Sequence, residues 1–211
     1  MVSFRGRVSF DNFLKVVKAE YSNTNYMKSL FPIFVILIAA TACHGQESDT
    51  LDALSYSNSS ATKVQNGDYY GAWIDVEKSI AMSPKWAPAY DIRGLIKEHT
   101  GDLDGALSDF TTAIELYPRI DFDTSTMRGI DIDAANAYYN RAGVELKMQD
   151  YKAAKSDYSK SIKILSSPEA YFGIGMTELF LNDKDSGCAD LKQAMDRGYK
   201  PAEEYIKVYC H

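Results

Sequence analysis

The chain has 211 residues, 45% of them hydrophobic and 25% charged, a globular composition and the length of one medium domain. Its formal charge is −6, and removing residues 1–42, which hold five Lys/Arg and two acids, leaves 18 basic and 27 acidic residues, a net −9. So acidic a body argues against nucleic acid, which needs a basic footprint, and against electrostatic docking on anionic lipid.

Residues 1–26 carry no steady helical or strand period. Met27-Lys28-Ser29 then leads into an apolar run of 13 residues, 30–42, that ends Ala40-Thr41-Ala42. The run is too short to span a bilayer. A basic residue, a short apolar core and small residues at its end make a secretory signal over 27–42. Translation is expected to start at Met27, which leaves 1–26 as an unstructured extension ahead of it. Cys43 follows the small residues directly. This resembles the lipobox of bacterial lipoproteins, which implies acylation of Cys43 and a lipid anchor. Ala40 stands where that family most often has Leu, and ordinary cleavage after Ala42 is the other reading. Residues 43–52 are polar and read as a tether.

Beyond the tether the chain repeats itself. Gly67, Asp68, Ala72 and Pro84 recur 34 residues later as Gly101, Asp102, Ala106 and Pro118. A fixed period of this size predicts stacked helical hairpins. The segment 87–120 reads as two amphipathic helices joined at Gly101-Asp102, with Tyr90, Gly94, Ala106, Phe110 and Ala113 at fixed places. Gly101 suits the left-handed position that ends a helix, Asp102 can accept from the free amides of the next, and Pro118 stops the second helix. This pattern resembles the tetratricopeptide repeat (TPR) family. The resemblance implies an all-α fold, a short α-solenoid of about four helical hairpins plus a C-terminal capping helix.

The array is expected over 53–198. Residues 53–86 form a degenerate first repeat, with Tyr56 in the aromatic position but Ser59 and Ser60 where Leu and Gly are common. After 87–120 comes an insert, 121–134. The third repeat, 135–168, carries Tyr138, Ala142, Asp150, Tyr151, Ala154 and Tyr158, with Gln149 in place of the turn glycine, where strain is expected. The fourth, 169–198, carries Tyr171, Gly175, Asp183, Gly187, Leu191 and Ala194. Residues 199–211 make the cap, with Ala202, Tyr205, Ile206 and Cys210 as its buried stripe. If the cap packs antiparallel to the helix before it, Cys188 and Cys210 meet, and export to an oxidising space permits a disulfide. Two buried free thiols are the alternative.

No catalytic constellation, metal site or cofactor motif can be assembled. His44, His99 and His211 are scattered, and Gly173-Ile174-Gly175 lies in a helical pattern, where close packing explains it. The acidic insert Asp121, Asp123, Ser125, Asp131, Asp133 begins like a calcium loop. Thr126 and Ile132 replace the turn Gly and the bidentate Glu, so it reads as a solvated loop.

In the TPR family the first helix of each hairpin lines a concave groove. By register this implies Asp91 and Leu95, Tyr139 and Lys147, and Phe172 and Met176 as groove residues. Tyr139 and Phe172 directly follow Tyr138 and Tyr171; neighbours on a helix face about 100° apart, so one of each pair should face the groove. Asn140 matches one residue of the family's carboxylate clamp, but Asp91, Tyr139 and Phe172 do not, which argues against a clamp and a cytosolic chaperone partner. The expectation is a non-enzymatic scaffold for a protein or peptide, exported and lipid-anchored, periplasmic or at the outer membrane of a Gram-negative bacterium. The rivals are a small-ligand binder or enzyme with 121–134 as a lid over Asp121, Asp123 and His99, and a structural spacer of the envelope.

Overall fold

The computed structural model describes residues 51–117 and 129–210. Expectations for the signal, Cys43, Pro118, Asp121, Asp123, Ser125, Thr126 and His211 lie outside these residues. Among them every regular element is an α-helix. Residues 51–65 are helical (α1). There follow α2 (Tyr69–Met82), α3 (Ala87–Thr100), α4 (Leu103–Leu116), α5 (Gly129–Lys147), α6 (Tyr151–Ile164), α7 (Pro168–Phe180), α8 (Lys184–Asp196) and α9 (Ala202–Tyr209).

The corner inside each hairpin is built the same way four times. Gly67 (φ 78°) and Gly101 (φ 90°) take the left-handed conformation that turns the chain out of α1 and α3. The same conformation recurs with a side chain at Gln149 (φ 65°) and Asn182 (φ 60°), the two corners where glycine is replaced. The next residue does two jobs. The backbone N–H of Asp68, Asp102, Asp150 and Asp183 donates back to the carbonyl five residues earlier, at 2.9 Å in all four. Their carboxylates accept from the N–H groups of Gly71, Gly105, Ala153 and Ser186 and so cap α2, α4, α6 and α8.

Small residues bring the paired helices together. A Cβ at Gly94 on α3 would sit 2.7–2.9 Å from three ring carbons of Phe110 on α4, which is itself fully buried. The ring of Tyr158 on α6 occupies the corresponding space beside Gly173 of the next hairpin. Between α7 and α8 the backbones themselves nearly touch, since a Cβ at Gly175 would lie 3.0 Å from the Gly187 carbonyl oxygen. Consecutive first helices also meet, α3 with α5 and α5 with α7.

Buried acids set the rotation of the helices about their axes. Asp109 on α4 is 3% exposed and takes both Nε and Nη2 of Arg93, at 2.9 and 2.8 Å, and Lys97 at 2.8 Å. Arg93 then reaches Glu77 of the preceding hairpin at 2.8 Å. One repeat on, Arg141 joins Asp157 at 2.6 Å and reaches back to Thr111, the residue in register with Glu77. In the first hairpin Ser59 and Lys63 hold Asp75.

In the degenerate first repeat Ser60, where glycine is common, is buried and donates its hydroxyl to the Ala72 carbonyl at 2.8 Å. One expectation needs correction. The third hairpin begins earlier than expected, because α5 starts at Gly129 and residues 129–134 belong to a helix, not to the insert.

Cys188 and Cys210 are joined by a disulfide with Cα atoms 5.6 Å apart, which ties the end of α9 to α8. Ala202 of α9 is completely buried.

Two outcomes test this packing. Gly94→Ala gains about 1 kcal/mol of helix propensity, but its methyl meets a ring with no room to move, an overpacking cost of about 1–3 kcal/mol. Urea unfolding should show a net loss, largest if Phe110 is kept and relieved in Gly94→Ala/Phe110→Leu. Replacing Cys188 and Cys210 by Ser should lower the unfolding free energy by about 3 kcal/mol, the chain-entropy value for a loop of this length; an unchanged midpoint would refute the disulfide's contribution.

Candidate functional site

The first helices α3, α5 and α7 present in-register positions to one side of the array. Asp91, Tyr139 and Phe172 share one register, and Leu95, Gly143 and Met176 share the next. Lys147 is therefore out of register. It lies exposed at the end of α5 and pairs with Glu98 of α3 at 2.6 Å.

The structure brings three of the six expected residues into one basin of about 560 Å³. Pro88, Asp91, Ile92 and Leu95 come from α3, and Asp133, Asn136, Tyr139 and Asn140 from α5. Tyr117 at the end of α4, Ser161 on α6, Leu165, Ser167 and Glu169 complete it. Tyr139 both lines the basin and packs edge-on against Tyr158, ring centroids 5.7 Å apart. Its neighbour Tyr138 instead carries cations, with Lys160 at 5.1 Å and Arg141 at 5.7 Å from its ring.

Phe172 and Met176 are elsewhere. The Phe172 ring lies 5.0 Å from both Tyr199 and Tyr205, so the capping segment covers it and it is not an open groove aromatic. Met176 lines a separate hollow of about 450 Å³ with Phe180, Val208 and Tyr209. His99 is stacked on Tyr69 at 4.8 Å and does not line the basin. Among the described residues no group of His, Cys and carboxylates is arranged to hold a metal ion.

The electrostatics of the basin centre on Asp91. Tyr117 donates its hydroxyl to Asp91 Oδ2 at 2.7 Å. Oδ1 is shielded from solvent with no hydrogen-bond partner among the described residues. Burial pushes the carboxyl up from 3.8 to about 7; the Tyr117 hydrogen bond pulls the other way, and the charge of Asp133 adds to the rise. Burial also raises Asp133. The Tyr117 and Tyr139 phenols are raised by burial and neighbouring charge, so both are neutral donors. The lining offers carboxylates, carboxamides, phenols, hydroxyls and an apolar wall.

Tyr117, Asp133, Asn136 and Glu169 were not among the groove residues read from sequence. Asp133, Asn136 and Asn140 lie three and four apart on one helical face, a signal readable only once α5 is known to start before residue 135. Tyr117 has its own signal: it stands 48 residues before Leu165, the same interval that separates the second and third repeats, and both line the basin.

Residues 87–120 and 135–164 match the tetratricopeptide repeat family. Compared by sequence with curated proteins, the chain has no match. Solved structures share its fold. The Cut9–Hcn1 hetero-tetramer of the APC/C superposes with a TM-score of 0.65 at 16% identity, over 74% of this chain and 29% of that one, so this chain spans under a third of that longer protein. PilF of Pseudomonas aeruginosa matches with a TM-score of 0.59 at 14% identity over 77% of each chain. YrrB, described as a TPR protein with an unusual peptide-binding site, matches with 0.56 at 15% identity over 76% of this chain and 81% of its own. The described residues thus form an all-α tetratricopeptide-type solenoid.

The Asp91 carboxyl has a consequence for stability. Native Asp91 holds its proton up to about pH 7, whereas the unfolded chain releases it near 3.8. This contribution is complete below 3.8 and is lost as the pH rises through about 7. Asp91→Asn keeps an acceptor for Tyr117 and never ionises. Urea unfolding at pH 8 should find it more stable than the native chain by about 4 kcal/mol at most, the gap narrowing toward pH 4; a gap independent of pH would contradict the assignment.

Proposed function

We propose that this chain, built on tetratricopeptide repeats, is a non-enzymatic scaffold that binds an extended segment of a protein partner in the basin between α3, α5 and α7. The observation that carries the reading is the convergence of Asp91, Leu95, Tyr139 and Asn140 from two consecutive first helices on one open hollow, with hydrogen-bonding groups beside apolar wall. Exposed mixed surfaces of this kind suit peptide recognition. The structures of YrrB, described as having a peptide-binding site, and of the first TPR of RPAP3 bound to an HSP90 peptide lend the reading support through their shared fold. An acidic peptide terminus does not suit this basin, because Asp91, Asp133 and Glu169 would repel it.

The scaffold is exported and held by a lipid on Cys43, in the periplasm or at the outer membrane of a Gram-negative cell. Ala40-Thr41-Ala42-Cys43 supports the anchor, and a disulfide in so small a domain suits an oxidising compartment.

One experiment covers both parts. The full chain is expressed in its bacterial host, crosslinked in cells and recovered from the membrane fraction, beside Cys43→Ser and Asn136→Trp. Position 136 is exposed, so Trp fills the basin without disturbing the core. Cys43→Ser should leave the membrane fraction, and Asn136→Trp should keep its helicity and lose a specific crosslinked protein. Unaltered fractionation of Cys43→Ser refutes the anchor; the same crosslinked proteins with Asn136→Trp refute the basin.

A further inference from the structure

Buried carboxylates in this array come with their own cations. Asp75 has Lys63, Asp109 has Arg93 and Lys97, Asp157 has Arg141 and Lys160, and Glu178 has Lys155 at 2.9 Å. Each of these pairs joins two helices or braces one. The basin holds acids of another kind, the half-buried Asp91 and the exposed Asp133 and Glu169. Among the described residues, Asp91, Asp133 and Glu169 all line it, no Lys or Arg does, and none of the three acids is in an ion pair. Asp91 is the most buried of them, meets only the neutral phenol of Tyr117, and leaves Oδ1 without a partner among the described residues. A carboxyl kept out of water with half its acceptor capacity unused costs stability.

The remaining lining has the shape of what would answer these charges. Ile92, Leu95 and Leu165 give an apolar flank for a run of methylenes, and the carboxylates give a charged end. We propose that the basin receives a lysine or arginine side chain of the bound peptide, its stem along Leu95 and Leu165 and its charged head among Asp91, Asp133 and Glu169. This rests on the peptide-scaffold reading and sets its specificity: the partner segment is basic, the opposite of what a carboxylate clamp selects. Among the described residues, the titratable groups that line the basin with Asp91 are the phenols of Tyr117 from the end of α4 and Tyr139 from α5, Asp133 from α5 and, across the basin, Glu169 from α7. All are neutral or negative, so an arriving cation displaces the proton that Asp91 holds near neutrality, and binding tightens as the pH rises.

The test uses the full chain as bait for a displayed library of random ten-residue peptides. Enriched peptides should share Lys or Arg at one position. In a synthesised winner, replacing that residue by norleucine should weaken binding about tenfold, the scale of one charged hydrogen bond. Asp91→Asn should erase the preference for lysine over norleucine, and Glu169→Gln, at an exposed position, should reduce it. Affinity of the lysine peptide should rise between pH 6 and 8 in the native chain and stay flat in Asp91→Asn. Winners that lack a fixed cation, or bind equally with norleucine, overturn this inference and leave the scaffold reading standing if Asn136→Trp still abolishes binding. Failure to enrich any peptide, or winners indifferent to Asn136→Trp, overturns both.

Discussion

The structure depends on how closely its helices approach. Where Gly94 faces Phe110, Gly173 faces Tyr158 and Gly175 faces Gly187, there is no room for one further carbon. Those contacts fix the spacing within a hairpin and between hairpins, and the spacing decides which side chains can reach one another. With α3 and α4 this close, Arg93 on one spans Asp109 on the other and still has a nitrogen for Glu77 of the hairpin before. The ion pairs thus work as a rotational key on a distance set by missing side chains. A buried pair of this kind is weak evidence for stability, because desolvation opposes the attraction. Its stronger claim is to register: turning α4 by one residue would carry Asp109 away from Arg93 altogether.

The acids fall into two populations that composition alone could not separate. Asp75, Asp109 and Asp157 stand at the repeat interval and are consumed internally. In the fourth hairpin the pattern decays. Asp190 takes that position, but Ile174 replaces the arginine, and burial together with the nearby Glu178 pushes the Asp190 carboxyl up to about 6. Asp91, Asp133 and Glu169 follow no repeat interval among themselves and line the basin. A repeat protein therefore offers an internal control: what recurs in every hairpin serves the stack, and what departs from recurrence in one place is free to serve something else.

Much of the fold was readable because each hairpin states it again. The Gly-Asp corner, the small residues and the helix-capping aspartates recur at 34, 48 and 33 residues, and the structure uses each as the spacing implied. Gln149 and Asn182 follow the same rule, since position, not residue type, dictates the left-handed turn. The site was less readable for two reasons. Helix starts are weakly coded, and placing the start of α5 near 135 hid the face that carries Asp133 and Asn136. Which aromatic of a pair lies open depends on what packs over it. Tyr139 and Phe172 occupy one register, yet α9 lies over the second, while among the described residues the first lines the open basin.

The disulfide gives the array a direction. Stacked hairpins come apart from their ends, because an end hairpin has one neighbour and an inner one has two. At the C-terminal end α9 cannot peel away from α8 while Cys188 holds Cys210. At the other end of the described residues α1 meets α2 through the Lys63–Asp75 ion pair, through Val64 packed on Ala72 and Val76, and through two hydroxyls, Ser60 to the Ala72 carbonyl and Ser79 to the Ala53 carbonyl, with Leu51 and Leu54 exposed. Among the described hairpins the covalent tie is thus at one end alone, and the helices that frame the basin lie between it and the first hairpin.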